Sequence, residues 1–420
     1  MKPSLNLPRL LATAVLFFSI LSCSENLDSS GVCNVLCPVT GGDVQTITLD
    51  GAVVTDTTVQ GLSGTGTEPG LLLAARGDTL DTRVVIRFDS LPPTFVPTGD
   101  TARPITSVDS AYIQLRVDTS SIKGADPVTI EAYNVDTTAN DTSSAAILAL
   151  FRPDRFISSQ TFTRAQLTDT LRYFISDDVV LDRIQNKTPL RIGLRATGPV
   201  SAQVRFFSTE ALAGPILFFR ATPDTTTKPL VVVPFSKTPA DDPILKSVLV
   251  DYTVVAKAPP PAAPSVLVVG GLPARRVYFR FDIPSSIIDS STVVRATLLL
   301  NQLSNPELDP NDSVRVVPQV GLAGVAVTDP TKASQIITPV SADTVSFKPG
   351  GSGQQAVELA RAFALWHTTP PDTLPRAIVL RTVGEGISPL EIRFSSSEDV
   401  AALRPRLRIS YTSRVPLGLP

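Results

Sequence analysis

Arg83-Val84-Val85-Ile86-Arg87-Phe88-Asp89 is the stretch that decides the fold. Val84, Ile86 and Phe88 fall on one face, and Arg83, Arg87 and Asp89 on the other. That period-two alternation predicts a strand with one buried side. The pattern returns as Arg276-Val277-Tyr278-Phe279-Arg280-Phe281-Asp282, where Val277, Phe279 and Phe281 share the apolar face. Slipping either register by one residue would bury Arg87 or Arg280. Phe88 and Phe281 are therefore expected at equivalent core positions, with the charges outward.

Further strands recur in the same order. Ala111, Ile113 and Leu115 correspond to Ala296, Leu298 and Leu300, and Ile192 and Leu194 to Ile378 and Leu380. Val204 to Glu210 corresponds to Ile392 to Glu398. The strand with Leu217 and Phe219 inward matches the one with Leu407 and Ile409 inward. Such order indicates a duplicated unit. The polar stretch from Ala221 to Pro229 reads as a linker, which puts one domain at 45–225, a second at 226–413 and a tail at 414–420. The chain has 37 prolines in 420 residues, against an average near 5 per cent, and so favours short strands over long helices. The expected fold class is all-β: two tandem antiparallel β-sandwich domains, jelly-roll-like. One helical patch, Ala356 to Trp366, carries Val357, Ala360 and Ala364 at helical spacing.

These motifs resemble the DNRLRE, or disaggregatase-related, β-sandwich repeats, which are similar to a family of carbohydrate-binding modules. The resemblance is carried by Arg87-Phe88-Asp89 and Arg280-Phe281-Asp282, by the Ala-rooted strands from Ala111 and Ala296, and by Phe-x-Ser-x-Glu before a Pro-x-Leu finish. Phe206, Ser208 and Glu210 carry that last motif in the first copy; Phe394, Ser396 and Glu398 carry it in the second. Trp366 stands where such repeats often place a Trp, and the first copy has none there. The resemblance covers most of 45–413 and implies a sandwich fold in a bacterial or archaeal surface protein, with cell-wall or polysaccharide binding.

The N-terminus reads as an export signal. Lys2 and Arg9 precede an apolar run from Leu10 to Leu21, 12 residues long. That is shorter than the roughly 20 a membrane span requires. Ile20-Leu21-Ser22-Cys23 resembles a bacterial lipobox, so residues 1–22 are expected to be removed and Cys23 to carry the lipid anchor. Residues 23–44 then form a tether, rich in Ser, Gly and Asn. Ser24 after the lipidated residue fits outer-membrane sorting by the rule known from enteric bacteria. Outside the cytoplasm Cys33 and Cys37 can pair as a disulfide; half of a zinc site is the other reading, in a chain with one His. A net charge of −2 argues against a nucleic-acid partner.

No catalytic constellation, metal site or cofactor site is expected. His367, the single His, lies at a helix end, where imidazole favours the terminal carbonyls. Glu210 and Glu398 are expected to make structural hydrogen bonds at the ends of their strands; a catalytic pair is the alternative. Asp309-Pro310-Asn311-Asp312 and Asp177-Asp178 read as turn formers before calcium ligands. The leading function is a non-enzymatic surface lipoprotein binding a polysaccharide or another envelope partner. A spacer without a small ligand and a carboxylate glycosidase or lyase are the alternatives. Aromatic and Arg side chains exposed on one sheet face would favour the first, and a cleft with two facing carboxylates the last.

Overall fold

The computed structural model describes residues 44–413 except 62–65, 98–99, 125, 137–143, 199–200, 222–227, 238–248, 306–307, 322–335, 339–342 and 372–373. Cys23, Cys33 and Cys37, the tether to residue 43 and the tail 414–420 lie outside the described residues.

The chain begins with β1 (Gln45–Leu49) and β2 (Val53–Gln60). It continues through β3 (Gly70–Arg76), β4 (Leu80–Phe88), β5 (Thr94–Phe95), β6 (Arg103–Pro104), β7 (Asp109–Gly124) and β8 (Val128–Asn134). Then come β9 (Phe156–Phe162), β10 (Thr170–Phe174), β11 (Leu190–Thr197), β12 (Ala202–Phe207) and β13 (Ile216–Arg220). The second series is β14 (Leu230–Val232), β15 (Asp251–Lys257), β16 (Val266–Gly270), β17 (Arg275–Phe281), β18 (Ser291–Leu303) and β19 (Val314–Gly321). It ends with β20 (Ile336–Thr338), β21 (Val345–Phe347), β22 (Gly353–Glu358), β23 (Ala377–Thr382), β24 (Glu391–Ser395) and β25 (Arg406–Ser413).

The strands pair antiparallel into two all-β sandwiches, one an 11-stranded and one a 12-stranded network. In the first, β14, β13, the start of β7 and β10 form the front sheet, while β9, β8, β11 and β4 form the back. The long strand β7 bends between them, pairing with β12 through its second half after a register shift. In the second sandwich β1, β25, β18 and β22 are the front, and β19, β23 and β17 lie behind. Alternation places the apolar sets inward: Val84, Ile86 and Phe88 join one core, and Val277, Phe279 and Phe281 the other.

The sheets are not assembled from the contiguous halves 45–225 and 226–413. β1 and β2 pair with β25 and β17 in the second sandwich. β14 and β15, which follow the linker, pair with β13 and β4 in the first. The first sandwich is thus one uninterrupted run, β3 to β15, inserted between β2 and β16 of the second. The 225/226 boundary marks the period of the sequence repeat, but each unit's leading strand pair completes the other unit's sandwich. Start and finish of the described chain lie side by side, Gln45 opposite Tyr411.

Two local readings change. Ala356 and Val357 belong to strand β22, because Val357 sits opposite Leu298 and is fully buried in the core. The helix starts only at Ala360 (Ala360–Thr368), and its Trp366 packs on Phe281 with ring centroids 5.9 Å apart. The equivalent place in the first copy also holds a helix, Asp177–Asn186, which buries Val180 and Ile184 one turn apart. Asp177 and Asp178 form its first turn, and Asp177 accepts the Ala111 N–H at 2.8 Å.

Candidate functional site

Two surfaces answer the criteria set by the sequence: the front face of the first sandwich, and a cleft where the chain crosses between sandwiches.

On the front face, β13, β7 and β10 set Phe218, Tyr112 and Phe174 directly opposite one another. Tyr112 and Phe218 stack at 5.2 Å with planes 13° apart, and Phe174 follows at 5.8 Å, tilted by 56°. Val231 on β14 extends the row, opposite Phe218. Phe174 is 53 % exposed and Val231 58 %. Their strand neighbours Leu171, Tyr173, Leu217 and Phe219 are buried, so pleating alone turns this row to solvent. Arg172 lies two residues from Phe174 on the same face, with its guanidinium carbon 5.2 Å from the Tyr112 ring centre. Gln114 sits opposite Arg172. Gln160 fixes the edge: its amide donates to the Phe174 carbonyl at 2.7 Å and accepts the Phe174 N–H at 3.2 Å. The result is a flat apolar strip flanked by planar hydrogen-bond donors.

The same positions of the second sandwich hold different chemistry. Thr297 lies opposite Glu358 and Arg408. Arg295 donates to Glu358 through Nε and Nη2, and Thr297 is buried beneath. Here an ion pair, Arg295 with Glu358, stands where the first sandwich turns its rings to solvent.

The cleft, about 660 Å³, lies under the Pro-rich crossover at 258–264 and is lined by Asp56, Arg275 and Glu398. Two carboxylates face it, but Asp56 is already engaged. It accepts the Ser397 N–H at 2.6 Å and also the Ser397 hydroxyl. Asp251 makes the same pair of bonds with the Thr209 N–H and hydroxyl, each 2.9 Å. Asp56 stands opposite Phe279 and Asp251 opposite Ile86, which are equivalent strand positions. Each Asp therefore fastens an incoming strand to the turn after the Phe-x-Ser motif. Burial, and next the charge of Glu210, push the Asp251 carboxyl up to about 7.

Glu210 and Glu398 are exposed. The hydrogen bonds expected of them are made instead by Ser208, which donates to the Glu68 carbonyl at 2.6 Å, by Ser396, which reaches the Pro264 carbonyl, and by the two Asp residues. His367 is exposed, with Nδ1 2.7 Å from the Ile288 carbonyl. Asp309 and Asp312 face Lys123 of the first sandwich, and Asp309 also accepts the Asn311 N–H at 2.9 Å, as a turn does. No cluster of three potential metal-ligating side chains occurs among the described residues.

The charges expected to point outward on β4 do leave the core, yet they are not solvated. Arg87 is fully buried and Asp89 only 3 % exposed. Arg87 donates to the Tyr252 hydroxyl at 3.0 Å and to Ser236, while Arg191 clasps Asp89 with two 2.7 Å bonds. The connection between β14 and β15 provides the cover: Phe235 and Val250 exchange backbone hydrogen bonds with Arg87, and the Lys237 N–H binds Asp89. In the second sandwich only the turn 50–52 joins β1 to β2, and Asp282 stays exposed. Arg276 is buried there, bidentate to Glu385 at 2.7 and 2.6 Å.

No protein-family model matches the chain, and no curated protein does. Among solved structures, that of the infectious bursal disease virus Gt strain aligns at 9 % identity and a TM-score of 0.14, covering 89 % of this chain and 77 % of that one. The VP2 subviral particle of the same virus gives 9 % identity and 0.11, with the same coverages. Scores this low carry no argument about fold or function.

Proposed function

We propose that this protein is a non-enzymatic lipoprotein of the bacterial cell envelope, anchored through a lipid on Cys23 at the outer membrane, that binds polysaccharide through the front face of its first sandwich. The observation that carries the reading is the Phe218-Tyr112-Phe174 row with Arg172 over its centre. The C–H faces of pyranose rings stack on aromatic planes, and their hydroxyls are met by fixed planar donors such as guanidinium and amide. The row runs across the strands of a rigid sheet, so the rings are held in place before a ligand arrives. The second sandwich, with its paired charges, serves as support and anchor-side spacer. The paired use of Asp56 and Asp251 in fastening strands speaks for a structural role of the crossover carboxylates.

A polysaccharide pull-down or glycan array with residues 44–413 tests the binding. Tyr112→Ala and Phe174→Ala should each weaken the bound glycan's affinity about tenfold, the size of one lost stacking contact, without changing cooperative unfolding. Absence of any glycan binding, or wild-type affinity in both variants, would overturn the reading. For the anchor, Cys23→Ala should release the protein from membranes; continued membrane partition would remove Cys23 from that role.

A further inference from the structure

We infer that the seat occupied by β1 and β2 in the second sandwich also accepts these strands from a second copy of the chain, so that two molecules can exchange residues 45–60 reciprocally. The inference is independent of the glycan reading.

Three observations carry it. First, the seat is specific and extensive. β2 is in register with β17 from Gln60 opposite Arg275 to Val53 opposite Phe281. β1 runs beside β25 from Gln45 opposite Tyr411 to Leu49 opposite Leu407. Val59 packs on Tyr278, Ala377 and Val379, Ala52 enters the main core, and Asp56 fastens to Ser397. Second, among the described residues this strand pair leads into the rest of the fold only through the crossover 61–69 into β3. No contact named above depends on which molecule that crossover leads to. Third, the molecule already fills the equivalent seat from outside the repeat: the first sandwich takes β14 and β15 from the following repeat, through the similarly short crossover 258–265. In the second sandwich the occupant comes from the far end of the described chain.

With the contacts equal, connectivity decides the outcome. A tethered strand pair presents itself at an effective concentration of about millimolar, so closure within one chain dominates in dilute solution and exchange grows as chain concentration approaches that value. Reciprocal donation closes a two-fold dimer in which neither seat is left open.

Thr55 stands opposite Arg280 across β2 and β17. The test uses chains from Ser24 onward with Cys33 and Cys37 replaced by Ser. One population carries Thr55→Cys, the other, of different isotopic mass, Arg280→Cys. They are mixed, held near the unfolding midpoint, returned to native conditions and oxidised. The expected result is an interchain 55–280 disulfide, identified by peptide mass spectrometry, whose yield rises about in proportion to chain concentration and far exceeds that of a control pair with Arg172→Cys in place of Arg280→Cys. A double Thr55→Cys, Arg280→Cys chain should close internally at low concentration. Independently, light and heavy chains without any introduced Cys should give mixed-mass dimers in native mass spectrometry after the same treatment. Internal closure of the double variant together with a mixed cross-link no higher than the control overturns the inference. So does the absence of mixed-mass dimers at millimolar chain.

Discussion

The two sandwiches share a strand order, a core pattern and an Asp clamp, but they are completed in different ways and turn different faces to solvent. The first is a single run of chain, β3 to β15, whose front face carries stacked aromatics. The second needs strands from both ends of the described chain, and its front face is laced by Arg295 and Glu358. Duplication evidently conserves what packing requires and leaves the outer face and the chain closure free to diverge. Inward residues are tied to roughly ten neighbours each, whereas an outward residue on a pleated strand is tied to two or three.

The sharpest way to break this comparison is to cut the chain. A fragment of residues 66–257 holds every strand of the first sandwich and should unfold cooperatively with a strand-type circular dichroism signal. Residues 258–413 lack β1 and β2, which leaves the Tyr278 side of β17 and the β25 edge uncovered, and should stay molten or aggregate. Adding a peptide of residues 44–61 should restore a cooperative melt. If 258–413 alone folded as well as 66–257, the strand membership described here would be wrong.

What the sequence made legible, and what it hid, follows the same division. Alternation in β4 and β17 placed Phe88 and Phe281 in their cores, because a half-buried strand leaves a period that one sequence can show. Nothing in β2 or β15 says which sandwich it completes, since both present the same pattern to equivalent partners. The burial of Arg87 was hidden for a related reason. Alternation assigns a side chain to a face but not what covers that face, and the cover at Ser236 and Tyr252 is distant in sequence. The aromatic row was masked by adjacency: Tyr173-Phe174 and Phe218-Phe219 each put one ring inside and one outside.

The covered face of β4 gives the next comparison. Arg191, whose side chain is 9 % exposed, and the fully buried Asp89 carboxylate form an ion pair; the second copy has Ala377 and the exposed Asp282 at these places. Arg191→Ala merely installs the second copy's residue, yet it should cost about 3–5 kcal/mol, because it leaves a buried carboxylate without its cation. Adding Asp89→Asn should recover part of that loss. Chemical denaturation of the three variants checks both signs.

The Asp251 clamp adds a dependence on acidity. The Asp251 carboxyl, with an ordinary value of 3.8, is pushed up to about 7 in the fold by burial and then by Glu210. A raised folded value means that the folded state holds its proton more tightly than the unfolded chain. The resulting stabilisation is therefore present below about pH 4 and is lost as pH rises toward 7, amounting to at most on the order of 4 kcal/mol. Asp251→Asn keeps an acceptor oxygen for Thr209 and should flatten this dependence between pH 4 and 7. Melts of wild type and variant with equal pH slopes would show that Glu210 and burial do not act on this group as described.

The smallest expected effect falls on the face to which the comparison assigns function. Tyr112→Thr gives the first sandwich the residue that Thr297 supplies in the second. Tyr112 is half-buried, its row is open to solvent, and no core residue leans on it. The loss is confined to its stacking with Phe218, its tilted contact with Phe174 and the Arg172 guanidinium above it. Such a pair is worth about 0.5–1.5 kcal/mol, and Thr shares the preference of Tyr for strands, so the backbone adds no further loss. Thermal unfolding should therefore move by only a few degrees. A glycan that binds this face would lose its central ring at the same time, so affinity should fall while stability barely changes. A large drop in stability would instead place Tyr112 among the structural residues and return the first sandwich's front face to the condition of the second.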